Sequence, residues 1–142
     1  NLPSISDDGG LYIAAYGVSP VIKSRRWVGK DSTDEKIIEH MKKIAKELPD
    51  DNRKAFFRVV LSLAFPNGKI FSVTGEVEGI IAKKPKAQRV KGFPYRHFFY
   101  LPKIQKYYQN EELTNDEQRM YNHRYKAIQK LKPILKKALG IK

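Results

Sequence analysis

The sequence feature that most constrains the fold is a pair of alternating apolar runs joined by a tight turn. In 57–65, apolar residues occupy every second position, and Pro-Asn-Gly follows at 66–68. The returning run, 71–77, repeats this alternation with Gly75 and Gly79 in the same register. A period of two is typical of a strand with one buried face, and Pro-Asn-Gly is a strong turn signal. The pattern therefore predicts a long β-hairpin, and its glycines predict a bulge or close backbone packing.

Helical spacing flanks the hairpin on both sides. From 33 to 48 the apolar residues fall on one stripe, Ser32 with Glu35 has the spacing of a capping box, and Pro49 ends the run. In the last third, Thr114 with Glu117 predicts a second capping box.

A longer helix follows, with Asn122 as its cap. It is predicted to be kinked at Pro133 and to end at Gly140. Its predicted buried face comprises Ala127, Ile128, Leu131, Ile134, Leu135 and Leu139.

Two adjacent carboxylates, Asp7 and Asp8, precede Gly9, Gly10 and an apolar run at 11–16 that predicts a short strand. Paired aspartates on a loop before a strand can hold Mg²⁺ or activate water, because hard cations prefer oxygen ligands. The alternative is an ordinary surface turn, which Asp and Gly also build. The residues themselves leave both readings open.

Composition narrows the class of protein. The 142 residues suffice for one domain, and the absence of cysteine excludes disulfides and thiolate metal sites, which favours a cytoplasmic setting. No apolar run has the length of a membrane helix, so no membrane partner is expected. The net charge of +13 favours polyanionic partners, and 83–96 contains six basic residues and no acidic one.

Two further segments can bind a ligand. The aromatic run at 92–102 is either a core strand with its lead-in loop or a pocket wall that stacks on a planar ligand. His123 and Arg124 begin the last predicted helix, and a helix N-terminus with such donors attracts phosphate. The alternative for this pair is ordinary surface exposure.

Five segments, taken in order, resemble motifs of the inosine triphosphate pyrophosphatase family, which removes non-standard purine nucleoside triphosphates. Residues 6–11 are similar to its A-D-D-S-G-L motif, 19–29 to A-P-G-x-x-S-A-R-Y-A-G, and 75–81 to G-x-x-x-G-x-I. Residues 92–96 are similar to G-F-G-Y-D, and 122–127 to S-H-R-G-K-A. The resemblance covers nearly the whole chain.

The resemblance implies a Mg²⁺-dependent hydrolase that converts ITP, dITP or XTP to the nucleoside monophosphate and pyrophosphate. Asp8 would be the general base and a ligand of Mg²⁺, with Asp7 beside it. Phe93 would stack on the purine, and His123 and Arg124 would bind base or phosphate. The remaining implied substrate contacts are Gly9, Pro94, Tyr95, Arg96 and Gln118.

The departures from the family pattern matter as well. Arg96 stands where the family has an aspartate that contacts the base, Pro94 where it has a glycine, and Gln118, or Arg119 one place later, where it has a lysine. The family's N-terminal S/T-x-x-N-x-x-K segment is not in this sequence. We therefore expect 1–142 to be a single domain forming the C-terminal portion of a larger one. A complementing N-terminal half or a homodimer partner would then take part.

The resemblance implies an α/β fold: a mixed, twisted sheet with a long hairpin and flanking helices, in two lobes around a central cleft. An alternative function is a catalytically degenerate relative. Such a protein would use its basic surface to bind RNA or another polyanion.

Overall fold

The computed structural model describes residues 2–17, 27–30, 32–88 and 90–140, which form one sheet with three helices. The strands are β1 (Ser4–Ile13), β2 (Lys54–Ala64), β3 (Ile70–Ile81), β4 (Phe99–Leu101) and β5 (Lys106–Tyr107). The helices are α1 (Asp34–Glu47), α2 (Asn115–Tyr121) and α3 (His123–Leu139). Short 3₁₀ turns lie at Ala14–Tyr16 and Pro94–His97. The predicted combination of sheet, hairpin and flanking helices is confirmed.

The sheet has the strand order β1-β2-β3-β4-β5, and each of its four pairings is antiparallel. The expected mixture of parallel and antiparallel strands is therefore wrong for the described strands. Although α1 lies in the connection from β1 to β2, the two strands run in opposite directions. Leu11 opposes Phe57 and Ile13 opposes Ala55, so the apolar side chains of both strands share one face.

The predicted hairpin is confirmed as β2 and β3, which pair from Lys54 with Ile80 to Ala64 with Ile70. Its turn includes Gly68 at a φ of 83°, a left-handed conformation that glycine adopts without a steric penalty. The hairpin is thus the part of the fold that its sequence pattern specifies most directly.

The acid pair lies inside β1, so its predicted position on a loop is wrong, and so is the alternative of a surface turn. Asp7 opposes Leu61 and Asp8 opposes Val60. The strand begins at Ser4 instead of Leu11 because β2 offers eleven residues whose backbone groups β1 can pair with. The predicted strand at 11–16 ends at Ile13, and a 3₁₀ turn follows.

Both long helices cover the same face of the sheet. The apolar stripe of α1 packs in one cluster with Leu11, Ala55 and Phe57, and α3 packs on the other half of β2 through Ala127 and Leu131. We call this side of the sheet the covered face and the opposite side the open face. The members of the covered face in β2 are Ala55, Phe57, Val59, Leu61 and Leu63, all buried.

The helix caps follow the sequence with one exception. Thr114 with Glu117 forms a capping box, Asn122 caps α3, and Gly140 ends α3 in a left-handed conformation. Thr33, not the predicted Ser32, caps α1 by accepting a bond from the Lys36 backbone N–H. The hydroxyl of Ser32 instead donates to the Gly29 carbonyl at 2.7 Å, which removes it from the cap position.

The contact of α3 with the sheet is narrower than predicted. Ala127 and Leu131 are buried, but Ile128 and Leu139 are 51% and 46% exposed, so their predicted burial is wrong. Ile128 follows Ala127 directly and so points about 100° away around the helix. Ile134 and Leu135 are partly buried against the same cluster, and β3 presents a glycine where α3 crosses it.

That glycine is Gly75. A Cβ atom built on it would lie 1.9 Å from the His123 carbonyl oxygen and 2.8 Å from the Ala127 nitrogen. Neither distance is possible for a real side chain, so α3 can approach β3 this closely only over glycine. The predicted close backbone packing is confirmed, and it places the N-terminus of α3 over the middle of the sheet.

Two lysines of α3 reach the outer edge of β3. Lys126 Nζ donates to the Glu76 carbonyl at 3.0 Å, and Lys130 Nζ donates to the Thr74 carbonyl at 2.7 Å. At these positions β3 has no strand neighbour other than β2 among the described residues, since β4 pairs only with Ile80 and Ile81. The lysines therefore satisfy carbonyl groups that the sheet leaves open.

Candidate functional site

A cavity of about 190 Å³ lies where the centre of β1, the Pro94–His97 turn and the N-terminus of α3 meet. We call it the β1–α3 pocket. Seven residues predicted from the sequence as substrate contacts line it: Gly9, Phe93, Pro94, Tyr95, Arg96, His123 and Arg124. Residues far apart in the chain thus converge on one place, as a binding site requires.

The two predicted carboxylates are separated. Arg124 donates to both oxygens of Asp7, from Nε at 2.9 Å and from Nη2 at 3.2 Å, so Asp7 shares the covered face with the pocket. Asp8 opposes the half-exposed Val60 instead of the buried Leu61, which places it on the open face. Asp8 is exposed, and its carboxylate has no hydrogen bond or ion pair with the described residues.

The described residues contain no group of three or more His, Cys, Asp or Glu side chains arranged to hold a metal ion. Mg²⁺ does not need such a group, because it is commonly held by one or two carboxylates together with substrate phosphates and water. Asp8 has free oxygens for that purpose, whereas the oxygens of Asp7 are engaged by Arg124. The roles predicted for both carboxylates remain predictions.

Arg96 is the most unusual group in the pocket. Its side chain is 8% exposed, yet none of the described residues forms an ion pair with it. The guanidinium lies between two aromatic rings, 4.7 Å from the Phe93 centroid and 4.7 Å from the Tyr108 centroid, and Nη1 donates to Asn110 Oδ1 at 3.0 Å. Burial, followed by the nearby Arg124, lowers the Arg96 pKa, although an arginine stays charged.

Phe93 presents its ring at the mouth of the pocket and is 43% exposed. It follows Gly92, whose φ of 87° and backbone N–H fix the approach of the chain. That N–H donates to Asp34 Oδ2 at 2.5 Å, so the start of α1 anchors the loop. A large aromatic ring held half in solvent is suited to stacking on a planar ligand.

His123 forms the floor of the pocket and is 2% exposed. Its ring stacks on Phe57 with centroids 5.5 Å apart. Burial, with Arg124, Arg96 and Lys126 nearby, lowers the His123 pKa to about 3. The imidazole is therefore neutral at physiological pH, and the pocket's positive charge comes from its arginines.

Tyr108 belongs to this site, but the sequence reasoning missed it. It is 1% exposed, and its hydroxyl lies 2.7 Å from His123 Nδ1. The neighbouring Tyr107 has the same side chain in a run of polar residues, so no local pattern distinguishes the two. The only signal in the sequence was the aromatic density before 102, which ends too early to include Tyr108.

Gln118 does not line the pocket. Its amide lies in a second layer, where Nε2 donates to Asn110 Oδ1 at 3.4 Å and Oε1 accepts from Asn122 Nδ2 at 3.1 Å. It thus connects the partner of Arg96 with the cap of α3. A direct contact of Gln118 with substrate stays a prediction.

Part of the predicted basic surface is neutralised within the chain. Lys83 pairs with Asp50 at 2.7 Å, and Lys86 pairs with Glu112. The residues Ser19, Pro20, Ser24, Arg26 and Arg89, which contributed to the motifs and to the basic run, lie outside the described residues.

A larger hollow of about 530 Å³ lies beside β3 and the β4–β5 turn, but it contains none of the predicted site residues. Within its lining Lys54 pairs with Glu78 at 3.2 Å, and Arg53 donates to backbone carbonyls. Size alone would not select the β1–α3 pocket, since several other cavities are larger. The β1–α3 pocket is the better candidate because its buried Arg96 has no acidic partner in the described part of the chain.

An exposed aromatic ring beside two arginines and a neutral histidine characterises a site for a planar, negatively charged ligand. Comparison with known proteins identifies the family to which the chain belongs. The chain belongs to the Ham1 family, whose model matches residues 1–134. The resemblance drawn from the five motifs is thereby confirmed.

The similar curated proteins carry an activity in their names. The chain is 35% identical over 130 residues to a dITP/XTP pyrophosphatase of Thermus thermophilus, covering 92% of this chain and 60% of that protein. It is 34% identical over 131 residues to the dITP/XTP pyrophosphatase of Bacillus subtilis, covering 92% and 64%. The chain therefore spans about three fifths of the length of these relatives.

Solved structures show the same fold. The Ham1 protein of Staphylococcus aureus matches with a TM-score of 0.80 at 30% identity, over 96% of this chain and 68% of that one. A HAM1 protein from Coxiella burnetii matches with a TM-score of 0.79 at 32% identity, over the same shares. Among the helices of the described residues, none has the length and apolar character to cross a membrane.

Proposed function

We propose that this chain forms the base-binding part of a pyrophosphatase for non-standard purine nucleoside triphosphates of the ITP, dITP and XTP type. The products would be the nucleoside monophosphate and pyrophosphate. The observation that carries the proposal is the convergence of Phe93, Arg96, His123 and Arg124 on one pocket in a member of the Ham1 family. The names of the similar curated proteins support the substrate class.

The chemistry of the pocket suits the purine end of such a substrate. Phe93 offers a face for stacking, and Arg96 offers N–H donors to the oxo groups of a base. A volume of about 190 Å³ is below the ~300 Å³ at which pockets usually enclose a whole small ligand. The pocket would hold the base, and the phosphates would extend past Arg124 toward the surface.

For the reaction itself we propose Asp8 as the general base that takes a proton from the attacking water. Asp8 lies on the open face of β1, and β1 is the edge strand of the described sheet, so the phosphates would have to reach Asp8 around that edge. The exposure of Asp8 and its lack of a partner in the described residues leave both oxygens available. Mg²⁺, when bound, would offset phosphate charge, with Asp8 as a ligand and Asp7 nearby. Asp7 would mainly orient Arg124, because it already accepts two of its N–H groups.

The lengths of the relatives bear on how the activity is to be measured. Because the chain spans about 60% of the Thermus relative, we propose that 1–142 is one domain portion that a complementing N-terminal half completes. A homodimer remains a prediction of the same kind. Assays should therefore compare the chain alone with the chain plus a segment matching the preceding part of the relatives.

The test is pyrophosphate release from ITP, dITP, XTP and ATP with Mg²⁺. We expect the first three to be cleaved in preference to ATP, and we expect chelation of the metal to stop the reaction. Asp8→Asn should lower turnover by roughly 10²- to 10⁴-fold, the usual contribution of a general base, while binding persists. Calorimetry with a non-hydrolysable nucleotide measures that binding separately.

Glu78→Gln is the matched control, because Glu78 is also an exposed carboxylate on the open face. It should leave turnover unchanged. Absence of pyrophosphate from all four nucleotides, with and without the added segment, would refute the proposed activity. An Asp8→Asn variant as active as the wild type would refute only the role of Asp8.

A further inference from the structure

Tyr108 lies beneath the β1–α3 pocket, where it contacts Arg96 and His123. Its backbone N–H donates to the Phe99 carbonyl at 2.9 Å, which ties it to β4. Its ring contacts the rings of Phe57 and Phe99 at 5.7 Å each and carries the Arg96 guanidinium on one face. A ring fixed on this many sides cannot turn without disturbing the core.

The hydroxyl of Tyr108 makes two bonds to a single residue. It lies 2.7 Å from His123 Nδ1 and accepts the His123 backbone N–H at 3.2 Å. That N–H belongs to the first residue of α3, where helical partners are absent. Tyr108 thus holds both the backbone and the imidazole of His123.

The contact with Arg124 decides the tautomer of the His123 imidazole. Arg124 Nη1 lies 3.3 Å from His123 Nε2, and a guanidinium nitrogen can only donate. His123 Nε2 must therefore accept, and the neutral ring carries its proton on Nδ1. The Nδ1–H then donates to the Tyr108 hydroxyl, whose oxygen has room for both incoming bonds.

We infer that Tyr108 is a positioning residue, whose hydroxyl fixes His123 in the Nδ1–H tautomer so that Nε2 faces Arg124. Arg124 is then held from two sides, by His123 Nε2 and by the carboxylate of Asp7. Through its ring, the same tyrosine supports Arg96. One side chain thereby sets the direction of both arginines in the pocket.

The inference concerns the geometry of the site and rests on the proposed function only where substrate is used. The first measurement therefore needs no substrate. In ¹⁵N spectra of the wild type, His123 should show a protonated Nδ1 and an unprotonated Nε2. The chain has three histidines, and His123→Gln identifies the signal by its loss. A wild-type His123 protonated on Nε2 would overturn the inference directly.

Tyr108→Phe removes the hydroxyl and keeps the ring. We expect the ¹⁵N signals of His123 to move toward a mixture of tautomers, while the thermal melt stays cooperative. With ITP as substrate, KM should rise about fivefold and kcat should stay within twofold, since the loss of one hydrogen bond misplaces a binding group. Unchanged His123 signals would contradict the role of the hydroxyl.

Tyr107→Phe is the matched control. Its hydroxyl donates to the Lys84 carbonyl at 2.8 Å, away from the pocket, so the variant should alter neither the His123 signals nor KM. A KM unchanged in Tyr108→Phe despite altered tautomer signals would overturn the link to substrate. If the chain cleaves no nucleotide, the proposed function fails, and the spectra alone decide the positioning role.

Discussion

The covered and open faces of the sheet use charged residues in opposite ways. On the covered side, Arg53 is 8% exposed and donates to three backbone carbonyls, and Arg96 is equally buried. On the open face, Arg58 and Glu76 form a pair whose side chains are 43% and 36% exposed. Removing the partners of a buried charge is costly, whereas exposed pairs contribute little. The difference indicates that the charged groups of the covered face matter more for stability than the exposed pairs of the open face.

Gly75→Ala should be the most damaging change on the covered face. The added Cβ would collide with the His123 carbonyl at 1.9 Å, so α3 must move away from β3. We expect a loss of at least ~3 kcal/mol in the free energy of unfolding, as for severe overpacking. Urea denaturation followed by circular dichroism measures it.

Thr74→Ala supplies the control for that experiment, because Thr74 adjoins Gly75 and points to the open face. It should cost less than ~1 kcal/mol, the range of strand propensities. If both variants were equally stable, the close approach of α3 to β3 would not be a feature of the protein in solution.

Arg53→Met tests the same contrast with charged groups. Arg53 Nε, Nη1 and Nη2 each donate at 2.7 Å, to the carbonyls of Ile81, Leu48 and Ala45, and so join the end of α1 to β3. Removing them leaves buried acceptors unpaired, and we expect a loss of about 3 kcal/mol. Arg58→Met on the open face should cost under ~1 kcal/mol. Equal losses in chemical denaturation would remove the distinction between the faces.

The buried His123 gives the covered face a pH dependence. Its pKa is about 3 in the folded chain and about 6.5 when unfolded, so below pH 6.5 the unfolded chain binds the extra proton. The contribution of neutral His123 to the free energy of unfolding is therefore present above pH 6.5 and falls as the pH drops toward 3. Between pH 7 and pH 5 we expect a loss of about 2 kcal/mol from this group.

In His123→Gln that part of the pH dependence should be missing, which unfolding curves at both pH values can show. The pKa of His40 is also lowered by partial burial, and His40 is present in both proteins, so the comparison isolates His123. A His123 that titrates above pH 6 in the folded protein would contradict the buried, neutral imidazole.

The sequence was most informative where the pattern is local. The alternation from Phe57 to Phe65 specifies the hairpin, and Thr114, Asn122 and Gly140 specify helix ends, because caps and turns depend on neighbouring residues. The acid pair was misplaced for the opposite reason. Asp7 and Asp8 look like a turn, and only the partner strand β2 extends β1 through them.

The sequence predicted which residues form the pocket, but it did not predict how they are arranged in space. Seven of the predicted contacts do line one pocket, but nothing local indicates that Asp7 and Asp8 lie on different faces of β1. Tyr108 was missed because its partner, His123, is fifteen positions away. Tertiary contacts of this kind carry no periodicity that a single sequence displays.

Lys126 and Lys130 have a consequence for solubility. An unpaired strand edge is a template on which another chain can add a strand and begin an aggregate. By binding the Thr74 and Glu76 carbonyls, these two lysines both occupy the acceptors and place positive charge along the edge. A second copy of this strongly basic chain would meet like charge there. The contacts that hold α3 on the sheet thus also protect the protein from self-association through β3.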